Sequence, residues 1–138
     1  MSIRSEKNLK DQWEKVVKKR LKGYHVHIYR QAHSGNDKAD ELAQALVSII
    51  GLKDKAIFKV GAVGPHTRAN VEVDIPPEKF GEAVRFLQLT NFGHSILIHP
   101  DTGNDPVDHI TGSMWINQPV PFKPNFFSKK PFWNDKKR

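Results

Sequence analysis

Three segments of this chain alternate apolar and polar side chains at every second position, which restricts them to strands with two unlike faces. The first is Tyr24-His25-Val26-His27-Ile28-Tyr29. The second runs from Ala69 to Ile75 and sets Val71, Val73 and Ile75 against Asn70, Glu72 and Asp74. The third covers 94–99, where His94, Ile96 and Ile98 alternate with Ser95, Leu97 and His99. Each strand therefore offers one face to a core and leaves a polar face over. His25, His27 and His99 fall on the left-over side, and His94 falls on the core side.

Apolar residues at helical spacing separate these strands. Leu42, Leu46, Ile49 and Ile50 share one face of a helix that Asp37 can cap and Gly51 can end. Pro76 and Pro77 open another, with Phe80, Val84 and Phe86 or Leu87 on its buried side. A further strand is predicted over 56–63 and a short one over 113–117, with turns at 64–67 and 100–104. Residues 5–21 read as a basic amphipathic helix that docks on its own domain through Leu9, Trp13, Val16, Val17 and Leu21, and Gly23 closes it. The predicted order is β-α-β-β-α-β with a helix before and a strand after. That is an α+β, ferredoxin-like antiparallel sheet with two helices across one face.

Length and charge set the outer limits. With 138 residues the chain fits one domain. It divides into a basic helix (1–22), a core (23–121) and a basic aromatic tail (122–138). Residues 1–22 hold eight Lys/Arg against three acids, and residues 123–138 hold six against one. The stretch between them holds eight against eleven, so the body is mildly acidic and the net charge of +7 lies in the ends. A nucleic-acid partner is therefore not expected. No apolar run is long enough to span a membrane. Cysteine is absent, which removes disulfides and thiolate metal sites and is compatible with the cytoplasm.

In a ferredoxin-like sheet the first strand lies between the third and the fourth, with about 4.8 Å between neighbours. His25, His27, Glu72 and His99 can then meet on one patch of the open face. Imidazoles with a carboxylate suit Fe(II), Mn(II) or Zn(II). A His-X-His pair alone is more often two surface or hydrogen-bonded histidines than a metal site; convergence with Glu72 and His99 brings the two readings level. His66 and His109, in predicted loops, are candidate general bases. His33 reads as a plain loop residue. Asp108 is placed either to orient His109 or to cap the turn that follows. Arg68 can pair with a carboxylate of a ligand or stand as a surface charge.

These same residues carry a resemblance. The chain resembles the DOPA 4,5-dioxygenase family through Tyr24-His25-Val26-His27-Ile28-Tyr29, Val63-Gly64-Pro65-His66, Pro76-Pro77-Glu78-Lys79-Phe80, Ile96-Leu97-Ile98-His99-Pro100 with Thr102-Gly103, and Asp108-His109 followed by Trp115. The likeness runs from about Gly23 to Pro121. It implies extradiol opening of a catechol such as DOPA by O₂, a non-haem metal, and a homodimer. It also implies that His25, His27, His66, His99 and His109 are the motif histidines. The chain departs from the family pattern at 110–113, where some relatives carry another histidine, and at Asn117, where many have glycine. Two other readings stand beside this one. One is a family member that binds a small molecule without turnover. The other is an RNA-recognition module of the same topology, which Asn70, Glu72 and Asp74 oppose because that face would repel phosphate.

Overall fold

A computed structural model of the chain describes residues 3–31 and 35–128. The elements are α1 (Ile3–Trp13), β1 (Gly23–Tyr29), α2 (Ala39–Ile50), β2 (Ile57–Val60), β3 (Asn70–Ile75), α3 (Phe80–Leu89), β4 (Ile96–Asp101) and β5 (Met114–Ile116). Wide π turns at Glu14–Lys18 and Val107–Thr111 complete it, with 3₁₀ turns at Asp54–Ala56 and Pro77–Lys79. The five strands form one antiparallel sheet in the order β2-β3-β1-β4-β5. This is the ferredoxin-like order with β5 added beyond β4. None of the described helices is long and apolar enough to cross a membrane.

The alternation read in the sequence sets the two faces of the sheet. Val26 and Ile28 of β1, Val71, Val73 and Ile75 of β3, and Ile96 and Ile98 of β4 pack with Leu42, Leu46, Val47 and Ile50 of α2 and Ala83 and Leu87 of α3. Each large aliphatic side chain buried this way contributes about 1.5–3 kcal/mol. Helix α2 starts where the Asp37 carboxylate accepts the Ala39 N–H, and it ends at Gly51 in the left-handed region, φ 76°.

Four details differ from the sequence reading. The first helix gives way to a π turn at Glu14, and Leu9 and Trp13 stay 53% and 51% exposed. Its few large apolar groups, spread among lysines, do not seat it on the domain as expected. Strand β2 is shorter than predicted, because the chain bends after Gly61 toward an isolated bridge between His66 and Phe122. Strand β4 begins at Ile96 rather than at 94. His94 alternates like a strand residue but serves as a joint. Its Nδ1 donates to the Tyr29 carbonyl, and its Nε2 accepts the Lys38 N–H at the start of α2. Lastly, His109 lies in a helical turn instead of a loop. His33 lies outside the described residues.

Candidate functional site

Antiparallel register brings the open-face polar residues of three strands together. His25 stands opposite His99, and His27 stands opposite Glu72. His27 Nε2 and His99 Nε2 are 3.1 Å apart, and their rings stack at 14°. The His25 ring lies 5.0 Å from that of His99. The Glu72 carboxylate is 3.9 Å from both His27 Nε2 and His25 Nδ1. On its other side, His25 Nε2 is 3.6 Å from both Asp74 and Asp101. Two groups of close ligand atoms result, His25-His27-His99 and His25-Glu72-Asp74, joined at His25.

The hydrogen bonds behind these rings fix which nitrogen carries the hydrogen. The Asn70 amide donates to the Arg68 carbonyl, so its oxygen faces His27 Nδ1 at 2.9 Å and only accepts. The Pro100 carbonyl likewise only accepts, 2.8 Å from His99 Nδ1. Both Nδ1 atoms therefore donate, and both Nε2 atoms hold lone pairs. Two lone pairs facing each other at 3.1 Å make no hydrogen bond. A shared cation would satisfy them. Two imidazole nitrogens each about 2.1 Å from one ion stand roughly 3 Å apart when their bonds meet near a right angle. The residues present thus fit a first-row metal, and Asn70 and the Pro100 carbonyl act as the supporting acceptors such ligands require.

Electrostatics agree with this geometry. Burial, reinforced by neighbouring histidines, lowers His27 to about 3 and holds His99 well below the ordinary imidazole range. Both rings are neutral at physiological pH, as metal ligands must be. Burial first, then the neighbouring Asp74 and Asp101, raises the Glu72 carboxyl to about 8. A site that holds a carboxyl protonated at neutral pH lacks positive charge, and a divalent ion would supply it.

The rim comes from outside the strands. His66, buried, packs on His27 with ring centres 4.5 Å apart, and its Nδ1 lies 2.7 Å from the Tyr29 hydroxyl. His109 sits over His99 at 4.1 Å and stacks on Phe127 at 5.2 Å. Phe122 lies against both His66 and His109. Tyr29, Leu97 and Val120 form a second apolar cluster with Trp115 and Phe122 at this end of the open face. Asp108 does not orient His109. Both of its oxygens accept from Thr102, through the backbone N–H and the hydroxyl. His109 Nδ1 meets the Asp105 carbonyl instead. The π turn itself is capped by the Asn104 side chain on the Val107 N–H. It is seated through Gly112, where a Cβ would come within 2.8 Å of the Val107 carbonyl and 3.0 Å of the Pro100 ring. Arg68 is exposed near the Tyr29 end, close enough for its charge to act on that phenol.

Strand parity also accounts for three members of the site beyond the candidate ligands and bases. Tyr29 follows His25 and His27 on the same face, Asn70 precedes Glu72 on its face, and Trp115 stands opposite Leu97. No sequence signal placed Phe122 or Phe127 there.

Fold and site together define a class: a ferredoxin-like α+β domain whose open sheet face carries a histidine–carboxylate centre able to hold a first-row metal. The chain belongs to the Dopa 4,5-dioxygenase family, whose profile matches residues 24–126. It is 27% identical over 130 residues to the DOPA 4,5-dioxygenase of Amanita muscaria, covering 88% of this chain. It spans about half (54%) of that relative's length. Among solved structures it is similar to a protein of Nostoc punctiforme with a provisional dioxygenase assignment. That match has a TM-score of 0.59 and 26% identity, over 80% of this chain and 94% of the other.

Proposed function

We propose that the chain is a non-haem dioxygenase that opens the ring of a catechol such as DOPA at an extradiol bond, using O₂ and a divalent metal, Fe(II) first. The observation that carries this reading is the 3.1 Å opposition of two Nε2 lone pairs, His27 and His99, each locked by an acceptor behind it. His25, His27, His99 and Glu72 would hold the metal. The bound ion would supply Lewis acidity toward the diol oxygens and a meeting place for O₂ and the ring. The protein's own groups do the rest. Phe122, Phe127 and Trp115 pack an aromatic ring and exclude water. His66 or His109 takes a phenolic proton. Arg68 is available for a substrate carboxylate. Both atoms of O₂ end in the product, a ring-opened semialdehyde.

The wider setting is part of the same proposal. The absence of cysteine fits the cytoplasm. The acidic open face disfavours nucleic acid. The family resemblance implies a homodimer, which light scattering on the full chain would check. A second reading is a family member that keeps the fold and binds a small molecule without turnover, since a fold does not by itself fix a reaction.

Anaerobic loading with Fe(II), followed by air and DOPA, separates the two. A yellow product with matching O₂ uptake, lost in His27→Ala and His99→Ala, is the expected result. Bound iron with no O₂ uptake across a panel of catechols would sink the enzymatic reading in favour of binding.

A further inference from the structure

We infer that the two rim histidines have opposite tautomers and therefore opposite roles, with Tyr29 as the residue that positions one of them. This goes a step beyond the proposed function and takes its substrate from that reading. The assignment of hydrogens stands on the structure alone.

A neutral imidazole has one donor and one acceptor nitrogen, and the partner of either settles the other. His109 Nδ1 lies 3.0 Å from the Asp105 carbonyl, which can only accept. Nδ1 therefore carries the hydrogen and Nε2 keeps a lone pair. His66 is the reverse. Its Nδ1 lies 2.7 Å from the Tyr29 hydroxyl. Tyr29 is 1% exposed, so its O–H must find an acceptor inside the protein. That hydrogen-bonded acceptor is His66 Nδ1, which leaves the hydrogen of His66 on Nε2. Of the four rings at this end of the cluster, His27, His99 and His109 each keep a lone pair on Nε2. His66 alone carries an N–H there.

The donor and the acceptor border the same patch. The His66 ring is 4.5 Å from His27 and 6.4 Å from His109, and His109 is 4.1 Å from His99. A catechol hydroxyl at this patch would lose its proton to His109 Nε2. The O–H bond breaks with its electron pair left on oxygen. A new N–H bond forms, and His109 becomes imidazolium with its Nδ1–H still on the Asp105 carbonyl. His66 Nε2–H then donates a hydrogen bond to an anionic oxygen and keeps its own proton. Tyr29 touches no substrate. It acts by denying His66 the other tautomer.

The test reads the hydrogens directly. Long-range ¹H–¹⁵N spectra of the full chain with ¹⁵N-labelled histidine would be recorded before and after addition of Zn(II). The expected pattern is Nε2–H for His66 and Nδ1–H for His27, His99 and His109. In Tyr29→Phe, which keeps the ring stacked on Trp115, only the His66 pattern changes. A kinetic arm on the iron-loaded chain separates the roles. His109→Gln should lose about 100-fold or more in kcat, as expected for a missing base. His66→Gln, which keeps an N–H donor, should stay within about tenfold of wild type, whereas His66→Ala loses roughly 100-fold. Nδ1–H on His66 in the wild-type chain would overturn the inference, as would, where the wild-type chain turns over, His66→Gln being no better than His66→Ala. The spectra need no turnover, so failure here is distinguishable from failure of catechol cleavage itself.

Discussion

Strand β1 is buried on both sides, yet its two faces are buried for different ends. Toward the helices, Val26 and Ile28 are fully buried among other aliphatic side chains. Toward the open side, His27 is 2% exposed, in company with Asn70 and His99. Removing hydrocarbon from water releases free energy, whereas removing imidazole and carboxamide costs it unless every polar atom finds a partner. On the open face the partners are found for Nδ1 of both histidines but not for their Nε2 atoms. One face holds the fold together. The other is left incomplete in a way that a cation would complete.

The largest effect should come from breaking the open face. His27→Ala or His99→Ala should lower metal affinity by more than about 100-fold and abolish activity. Their urea midpoints should fall by less than that of a truncated core leucine, since the lost ring contacts and the orphaned acceptor are partly offset by relief of the buried imidazole's desolvation. A large drop in stability would erase the contrast between the faces. The converse substitution lies across the sheet. Leu46→Ala should cost about 2–5 kcal/mol in urea unfolding. The kcat per folded molecule should be unchanged.

A second-sphere change sharpens the comparison further. Asn70→Ala removes the acceptor that fixes His27 and should weaken metal binding by about 10–100-fold in calorimetry. The smallest effect is on pH dependence, and it has two limbs. The folded chain holds His27 and His66 at about 3 and about 4, against 6.5 for free histidine. Below pH 6.5 the unfolded chain takes up protons that the fold refuses, so stability falls as pH drops toward those values. Glu72, raised from 4.5 to about 8, works the other way. The fold holds a proton that the unfolded chain has released, and that advantage is lost as pH rises through 8. Urea midpoints of the metal-free chain should therefore peak near neutrality. Zn(II) should flatten the alkaline limb, because the ion pairs with the ionised carboxylate.

Much of this face was legible in the sequence because the strand period is fixed at two. Parity alone put His25, His27, Glu72 and His99 on one side, and the ferredoxin-like order made them neighbours. What parity cannot give is the position of residues outside strands. His109 and His66 reach the centre through a five-residue π turn and a bend after Gly61, neither of which has a periodic signature. His94 misled in the opposite sense. It has the spacing of a strand residue, but both of its nitrogens serve to join β1 to α2. Asp108 is ambiguous in sequence, because a carboxylate beside a histidine and a carboxylate that caps a turn look alike there, and its two contacts with Thr102 decide the matter.

Gly112 has no chemistry, but the separation of His99 and His109 is mechanically referenced to it. The π turn rests against Pro100, the residue after His99, with room for a hydrogen atom and nothing larger. A single methyl group there would act as a shim, tilting one histidine away from the other while every side chain of the candidate site stayed intact. Position 112 is thus the adjustment screw of this end of the sheet, and the histidines are the parts it moves.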